Sequence, residues 1–133
     1  MSALVSKKPP KRRSHVLVVD DDPEIRTLIE RLLSQKFRVT TATDGSSALD
    51  AASHPTYPDL VILDVMMPGM DGFDVASKLR AMPHMQKVPI LFVTARDTPM
   101  DVIRGIQSGA RSYLTKPFRM DDLLSKVTAA LGE

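Results

Sequence analysis

Short apolar runs alternate with stretches of helical periodicity five times along this chain, and that alternation limits the folds open to it. Residues 16–19 are apolar at every position, which is typical of a strand covered on both faces. The stretch that follows places apolar residues at the spacing of one helical stripe: Ile25, Leu28, Ile29, Leu32 and Leu33. Alternating strands and helices predict an α/β fold, a doubly wound parallel sheet with helices on both faces and right-handed crossovers.

The same reasoning predicts the other elements. Further strands are expected over residues 37–42, 60–63, 90–93 and 112–114. Helices are expected over residues 45–54 and 72–82, after residue 98, and over residues 120–131 before Gly132. Residues suited to helix ends support these boundaries: Asp22 before Pro23, Thr98 with Asp101, and Gly132.

Composition excludes several classes of protein. A chain of 133 residues fits one domain and leaves little room for a second. It has no cysteine, which rules out disulfides, thiol catalysis and cysteine-ligated zinc. No apolar run is long enough for a membrane span, and no apolar segment follows the basic amino terminus as a secretory signal requires. These features predict a cytoplasmic location.

The net charge of +2 is unevenly distributed. Five basic residues precede residue 15, which leaves −3 (+2 less five) for the remaining chain: Lys7, Lys8, Lys11, Arg12 and Arg13. Residues 1–14 have almost nothing to bury and predict a disordered basic arm, either simply solvated or docking on an acidic partner. The folded domain is expected over residues 15–133. Because its body is mildly acidic, it does not indicate a nucleic-acid-binding face.

Polar residues follow four of the predicted strands. The first strand is followed by Asp20, Asp21 and Asp22, and the third by Asp64. Thr94 follows the fourth strand and Lys116 the fifth. In open α/β sheets, ligands bind beyond the carboxyl ends of the strands, so these side chains are expected to meet at one edge. In isolation each residue is more simply a helix cap or a turn residue; their coincidence at that edge indicates a site.

Clustered carboxylates need a cation beside them. At about 4 Å and an effective dielectric near 20, each carboxylate pair costs roughly 4 kcal/mol. Ligands that are all oxygen select a hard cation, Mg²⁺ or alternatively Mn²⁺. A carboxylate can also act as a nucleophile and form an acyl phosphate. Lys116 then supplies a second positive charge, Thr94 supplies a hydroxyl, and the small Ala95 lets phosphate approach the backbone.

The motifs of this chain resemble those of the receiver domains of bacterial two-component response regulators, the chemotaxis regulators among them. The resemblance covers residues 15–133 and has four parts: Leu-Val-Val-Asp-Asp at 17–21, Leu-Asp-Val-Met-Met-Pro-Gly-Met-Asp-Gly at 63–72, Val-Thr-Ala at 93–95 and Lys-Pro-Phe at 116–118. Together these motifs are specific, although each alone is weak. The resemblance implies a flavodoxin-like five-stranded sheet in the order 2-1-3-4-5.

The resemblance also implies a role for each acidic residue. Asp64 is the implied phosphoacceptor. Asp21, Asp64 and the backbone carbonyl of Met66 are the implied direct ligands of Mg²⁺, and Asp20 holds the ion through water. The implied activity is Mg²⁺-dependent transfer of a phosphoryl group to Asp64, with slow self-catalysed loss, rather than turnover as an enzyme.

Further roles follow from the same resemblance. Lys116 contacts the phosphoryl group, and its peptide bond to Pro117 is expected to be cis. Thr94 and Tyr113 form the implied switch pair. The residues two positions after the acceptor and two after Thr94, Met66 and Arg96, are expected to tune how fast the phosphate is lost.

The implied partners are proteins. The phosphoryl donor is a sensor histidine kinase or a phosphotransfer protein, and a downstream protein binds the surface formed by the fourth helix, the fifth strand and the last helix. Dimer formation on phosphorylation is a further option, and no direct contact with nucleic acid is expected. The chain is expected to be a stand-alone regulator, the alternative being the receiver module of a longer one.

Two other functions on a similar architecture fit the residues less well. Phosphatases of the haloacid dehalogenase type need a second aspartate two residues after the first, where this chain has Met66. A flavodoxin-like flavin carrier needs a phosphate loop after the first strand, where three aspartates would repel phosphate. Loop methionines at 66, 67 and 70 indicate an adaptable contact surface more than a copper site. The three histidines, His15, His54 and His84, are expected at the surface or at strand edges.

Overall fold

A computed structural model describes residues 13–133 and contains the predicted sheet. Its five strands are all parallel and lie in the order β2-β1-β3-β4-β5, which confirms the α/β class and the implied strand order. The strands are β1 (His15–Val19), β2 (Arg38–Ala42), β3 (Leu60–Leu63), β4 (Ile90–Thr94) and β5 (Ser112–Thr115).

Five α-helices connect and follow the strands. They are α1 (Pro23–Ser34), α2 (Gly45–Ala52), α3 (Gly72–Arg80), α4 (Pro99–Gln107) and α5 (Met120–Leu131). The third helix ends at Arg80, earlier than expected, because Met82 precedes a proline and adopts an extended conformation before a short 3₁₀ helix, Pro83–Met85. Within residues 13–133, no helix combines the length and the apolar character that crossing a membrane requires.

The predicted helix ends are confirmed. The Asp22 carboxylate accepts a hydrogen bond from the backbone N–H of Glu24, and Pro23 occupies the first turn of α1. The Thr98 hydroxyl accepts from the backbone N–H of Asp101 at the start of α4. Gly132 ends α5 with φ of 71°, a left-handed conformation that favours glycine.

Both faces of the sheet are covered by apolar side chains, so the inner strands are rigidly held. Every residue of β3 and β4 is buried, as the continuous apolar runs predicted. Helices α2 and α3 cover one face, while α1 and α5 cover the other. The predicted stripe of α1 buries Ile29 and Leu33, but Leu28 lies at its margin and stays 37% exposed. The carboxyl ends of the strands are therefore fixed points on which a site can be built.

One of the three histidines departs from the prediction. His15 is buried at the start of the inner strand β1, where its Nε2 lies 2.7 Å from the Thr40 hydroxyl oxygen. His84 stacks on Tyr57 with ring centroids 4.4 Å apart, and His54 is exposed. The expectation of a surface position was wrong for His15 because the strand begins one residue before the apolar run that marked it.

The predicted basic arm lies outside the described residues except for its last two members. The Arg13 guanidinium donates to the carbonyl oxygens of Ser34, Lys36 and Phe37, at 2.7, 3.3 and 3.0 Å. These carbonyls lie at and just after the carboxyl end of α1, where backbone acceptors lack partners within the helix. Ser14 donates its hydroxyl to the Glu133 carboxylate. Residues 13 and 14 thus contact the domain instead of belonging to a free arm.

Arg13→Ala should lower the free energy of unfolding by about 1 kcal/mol, because it removes a charged cap from the end of α1. The corresponding fall in melting temperature is roughly 3–6 °C. Lys36→Ala is the matched control, since it removes a positive charge from the same region and leaves the three hydrogen bonds in place. Equal destabilisation of the two variants, measured by urea unfolding, would contradict the capping role of Arg13.

Candidate functional site

Three carboxylates from two neighbouring strands meet at the carboxyl edge of the sheet. Asp20 and Asp21 follow β1, and Asp64 follows β3, which pairs with β1. Each offers an oxygen that lies within 4.8 Å of an oxygen from the other two. Asp20 and Asp64 are only 2% and 5% exposed, whereas Asp21 is exposed to solvent. The structure therefore brings together the acidic residues that the strand-end rule predicted to converge.

Lys116, which directly follows the edge strand β5, neutralises part of this negative charge. Its Nζ donates to Asp20 Oδ2 at 2.8 Å and to Asp64 Oδ2 at 3.1 Å. Burial acts to lower the pKa of Lys116, but the two carboxylates outweigh burial and raise it. Lys116 is therefore a stable cation that joins the ends of β1, β3 and β5.

The environment of Asp20 opposes its ionisation. Burial, the largest influence, raises the pKa of this carboxyl, although hydrogen bonds from Lys116 and from the Asp22 backbone N–H act to lower it. The nearby charge of Asp64 raises it further. A cation close to Asp20 would favour its charged form, so the pocket suits a positive ion.

Arg26 is part of the site and was not predicted from the sequence. Its Nη1 donates to the backbone carbonyl oxygen of Asp20 at 2.8 Å, which holds the loop between β1 and α1. The residue lies four positions after the helix cap Asp22, about one helical turn, so it points back toward the aspartates. An arginine at that distance from an acidic strand end is the signal that could have identified it.

The loop that carries Asp64 is shaped by close backbone contacts. The Met66 backbone N–H donates to Asp64 Oδ1 at 3.2 Å, so both oxygens of the Asp64 carboxylate have partners. Gly72 donates its N–H to the carbonyl of Val65, and a Cβ at this position would lie 2.2 Å from the Asp64 carbonyl oxygen. Only glycine fits at this first position of α3, a requirement that was not predicted from the sequence.

The two residues of the implied switch pair contact the backbone of the same residue, Arg96, on its two sides. Thr94 is fully buried, and its hydroxyl oxygen accepts from the Arg96 backbone N–H at 3.3 Å. The Tyr113 hydroxyl donates to the Arg96 carbonyl oxygen at 2.6 Å. Burial first, then the charge of Asp101, raise the pKa of Tyr113 to about 12, so its hydroxyl keeps its proton. The Tyr113 ring packs on the ring of Phe92, with centroids 5.8 Å apart.

Arg96 and Met66, which the resemblance expects to tune the loss of phosphate, line one pocket. This pocket adjoins the carboxylate cluster at Asp21 and is also lined by Asp71. The Met66 side chain is 52% exposed, and Arg96 pairs with Asp101 across 3.3 Å.

The structure also describes the other residues predicted for this region: Ala95, the Lys116–Pro117 peptide bond and the three loop methionines. Ala95 is exposed at the end of β4, and the peptide bond between Lys116 and Pro117 is cis, as the resemblance implied. Of the three loop methionines, Met66 is exposed, while Met67 and Met70 pack on the core, so the predicted contact surface is limited to one of them.

Comparison with known proteins gives the same picture. The profile of the response regulator receiver domain family matches residues 16–128. Over 112 residues the chain is 44% identical to the response regulator PleD of Caulobacter vibrioides, and over 120 residues 42% identical to the DNA-binding response regulator MtrA of Mycolicibacterium smegmatis. These matches cover 84% and 90% of this chain, but 24% and 51% of the relatives, so the chain spans a quarter to a half of their length.

A solved structure shares the whole architecture. The chemotaxis protein CheY4 of Vibrio cholerae superposes with a TM-score of 0.84 at 34% identity, and the match covers 90% of this chain and 99% of that one. A family profile that spans most of the chain, relatives above 40% identity and a closely superposable structure agree on one assignment. The chain belongs to the response regulator receiver domain family.

Proposed function

We propose that this chain is a phosphorylation-operated switch in which Asp64 accepts a phosphoryl group from a histidine kinase or a phosphotransfer protein. Phosphorylation and Mg²⁺ binding are general properties of the family. The observation that carries the proposal here is the arrangement of three clustered carboxylates with the Lys116 ammonium group, 3.1 Å from Asp64. This arrangement offers a nucleophile, oxygen ligands for a metal and a fixed positive charge within one pocket.

The three carboxylates suit a divalent metal ion. Their ligand atoms are all oxygen, as Mg²⁺ and Mn²⁺ prefer, and Asp21 is open to solvent so that water can complete the coordination. Asp21, Asp64 and the carbonyl of Met66 would hold the ion directly, with Asp20 acting through water. Such an ion supplies positive charge that offsets the carboxylate repulsion and the charge on the phosphoryl oxygens.

The residues of the chain position the reaction. An Asp64 oxygen attacks the phosphorus of the donor, the new O–P bond forms, and the bond from phosphorus to the donor's imidazole nitrogen breaks. Lys116 is already within hydrogen-bond distance of Asp64, so it neutralises developing charge without moving far. Thr94 and the backbone at Ala95 offer further donors to the phosphoryl oxygens. Met66 has no group that could align a water molecule, which favours slow loss of phosphate.

The signal would leave the site through the loop after β4. If the Thr94 hydroxyl turns to donate a hydrogen bond to a phosphoryl oxygen, its present contact with the Arg96 N–H changes, and Tyr113 is bonded to the carbonyl oxygen of the same residue. A charge-assisted hydrogen bond contributes about 1.5–3 kcal/mol. That energy shifts a two-state equilibrium roughly ten- to a hundredfold, enough for a switch.

The output surface is proposed to consist of α4, β5 and α5. Three large apolar side chains are exposed along α4: Met100 at 73%, Ile103 at 47% and Ile106 at 50%. With Gln107 and Arg111 they form a face that a downstream protein, or a second copy of the phosphorylated chain, could bind. The chain acts in this proposal as a phosphorylated binding partner and not as an enzyme with turnover.

Incubation with Mg²⁺ and acetyl phosphate should add one phosphoryl group, and Asp64→Asn should abolish the addition because the amide is not a nucleophile. Intact-mass spectrometry measures the product. Asp71→Asn is the matched control, since it changes a carboxylate that lines the adjoining pocket with Asp21 and leaves Asp64 in place. Equal labelling of Asp64→Asn and the unmodified chain would disprove the assignment of the acceptor.

Mg²⁺ should stabilise the fold because it relieves repulsion between the carboxylates. At ten times its dissociation constant the gain is about 1.4 kcal/mol, which raises the melting temperature by roughly 3–5 °C. Asp21→Ala should abolish this shift. Asp22→Ala should lower the baseline stability by removing the cap of α1, yet keep the shift. A metal-independent melting temperature in the unmodified chain would count against the metal site.

Thr94→Ala should still accept phosphate on Asp64 but lose the phosphorylation-dependent chemical-shift changes around Tyr113, measured by backbone NMR. Thr115→Ala is the matched control, because Thr115 is the strand partner of Thr94 in the pairing of β4 with β5. That control should keep the changes. If Thr94→Ala showed the full set of changes, the coupling would have to run by another route.

A further inference from the structure

The Arg96 side chain links the margin of the acceptor pocket to the first turn of α4. Its Nε donates to Asp101 Oδ1 at 3.3 Å. The other oxygen of Asp101 accepts a hydrogen bond from the Thr98 hydroxyl at 2.7 Å. Arg96 also lines the pocket that adjoins the carboxylate cluster, beside Asp21 and Met66. One residue thus borders the pocket and pairs with the helix that begins the output surface.

The two partners of this ion pair differ in freedom. The Asp101 carboxylate is held by Thr98 in the capping arrangement of α4, and its side chain is 16% exposed. The Thr98 hydroxyl bond, ahead of the Arg96 charge, lowers the pKa of Asp101, so the carboxylate stays ionised. The Arg96 side chain is 45% exposed, and its pairing with Asp101 is its one hydrogen bond or ion pair within residues 13–133. Asp101 is therefore the fixed partner, and Arg96 is the one that can move.

A phosphoryl group on Asp64 would compete with Asp101 for Arg96. A phosphoryl group carries up to about two negative charges and three acceptor oxygens, and a guanidinium can bind two of them at once. The Asp101 carboxylate, by contrast, receives a single hydrogen bond at 3.3 Å from Arg96. The stronger acceptor would draw the guanidinium into the pocket, and the start of α4 would lose its contact with the loop after β4.

We propose that Asp101 is a positioning residue that restrains Arg96 in the unphosphorylated state and so sets how tightly the modified acceptor site holds the guanidinium. The inference rests on the proposed phosphorylation of Asp64. It adds a second link from the pocket to α4, besides the one through Thr94 and Tyr113. In this link, release of the Arg96–Asp101 ion pair accompanies occupation of the phosphoryl site.

The test uses beryllofluoride, an analogue of a phosphoryl group bound to a carboxylate, titrated into the 133-residue chain with Mg²⁺ present. Binding is followed by NMR, including the side-chain Nε resonance of Arg96. Four proteins form a double-mutant cycle: the unmodified chain, Asp101→Asn, Arg96→Gln and the combination. Asparagine can still accept the Thr98 hydrogen bond, so the start of α4 is preserved.

Asp101→Asn should bind beryllofluoride roughly two- to fivefold more tightly, the range that corresponds to an exposed ion pair. In the Arg96→Gln background the same substitution should have no effect. The gain should shrink as ionic strength rises, because salt screens the lost pair. The Arg96 Nε resonance should move on binding in the unmodified chain, which a purely structural role for Asp101 would not require.

Several results would overturn the proposal. Equal tightening by Asp101→Asn in both backgrounds would show that the effect runs through α4 and not through Arg96. Unchanged or weaker binding by Asp101→Asn in the otherwise unmodified chain would show that there is no restraint. Failure of the unmodified chain to bind beryllofluoride would remove the proposed function and this inference with it, whereas normal binding without coupling would remove the inference alone.

Discussion

The contact of Lys116 with two buried carboxylates is the interaction on which the rest of the site depends. Asp20 and Asp64 are almost fully removed from solvent, and burying them without a cation would be strongly unfavourable. Lys116 reaches them at 2.8 and 3.1 Å from the end of the edge strand β5. One ammonium group cannot neutralise three carboxylates, so the pocket retains negative charge when all three are ionised, and a further cation beside them would be favourable.

The packing of the sheet holds the mutually repelling carboxylates in place. The strands β1, β3 and β4 are packed on both faces by apolar residues, which prevents their ends from separating to relieve the repulsion. Backbone contacts reinforce the placement: Arg26 holds the carbonyl of Asp20, and the absence of a side chain on Gly72 lets α3 approach the carbonyl of Asp64. The stability of the core therefore maintains an electrostatic arrangement that the site alone would not maintain.

Much of this could be predicted from the sequence because it depends on backbone periodicity. The apolar runs locate the strands, and the rule for parallel sheets places Asp20, Asp64 and Lys116 at one edge. The strand order itself came only from the resemblance. Contacts made by long side chains were not predictable in this way, since they depend on rotamers and loop paths. Arg13 on the end of α1 and Arg26 on Asp20 are of this kind.

The loop after β4 has the properties needed to connect the pocket with α4. Arg96 donates its backbone N–H to Thr94 and accepts from Tyr113 through its carbonyl oxygen, while its side chain pairs with Asp101. The Tyr113 ring, by contrast, is fixed by Phe92 and by Gly105 of α4, and Phe92 packs in turn on Phe73 of α3. Aromatic contacts of this kind resist change, whereas single hydrogen bonds exchange partners at small cost. Under the proposed function, a change in the pocket would therefore be expressed first in the loop around Arg96, and the packed rings of Phe92 and Phe73 would limit its spread toward α3.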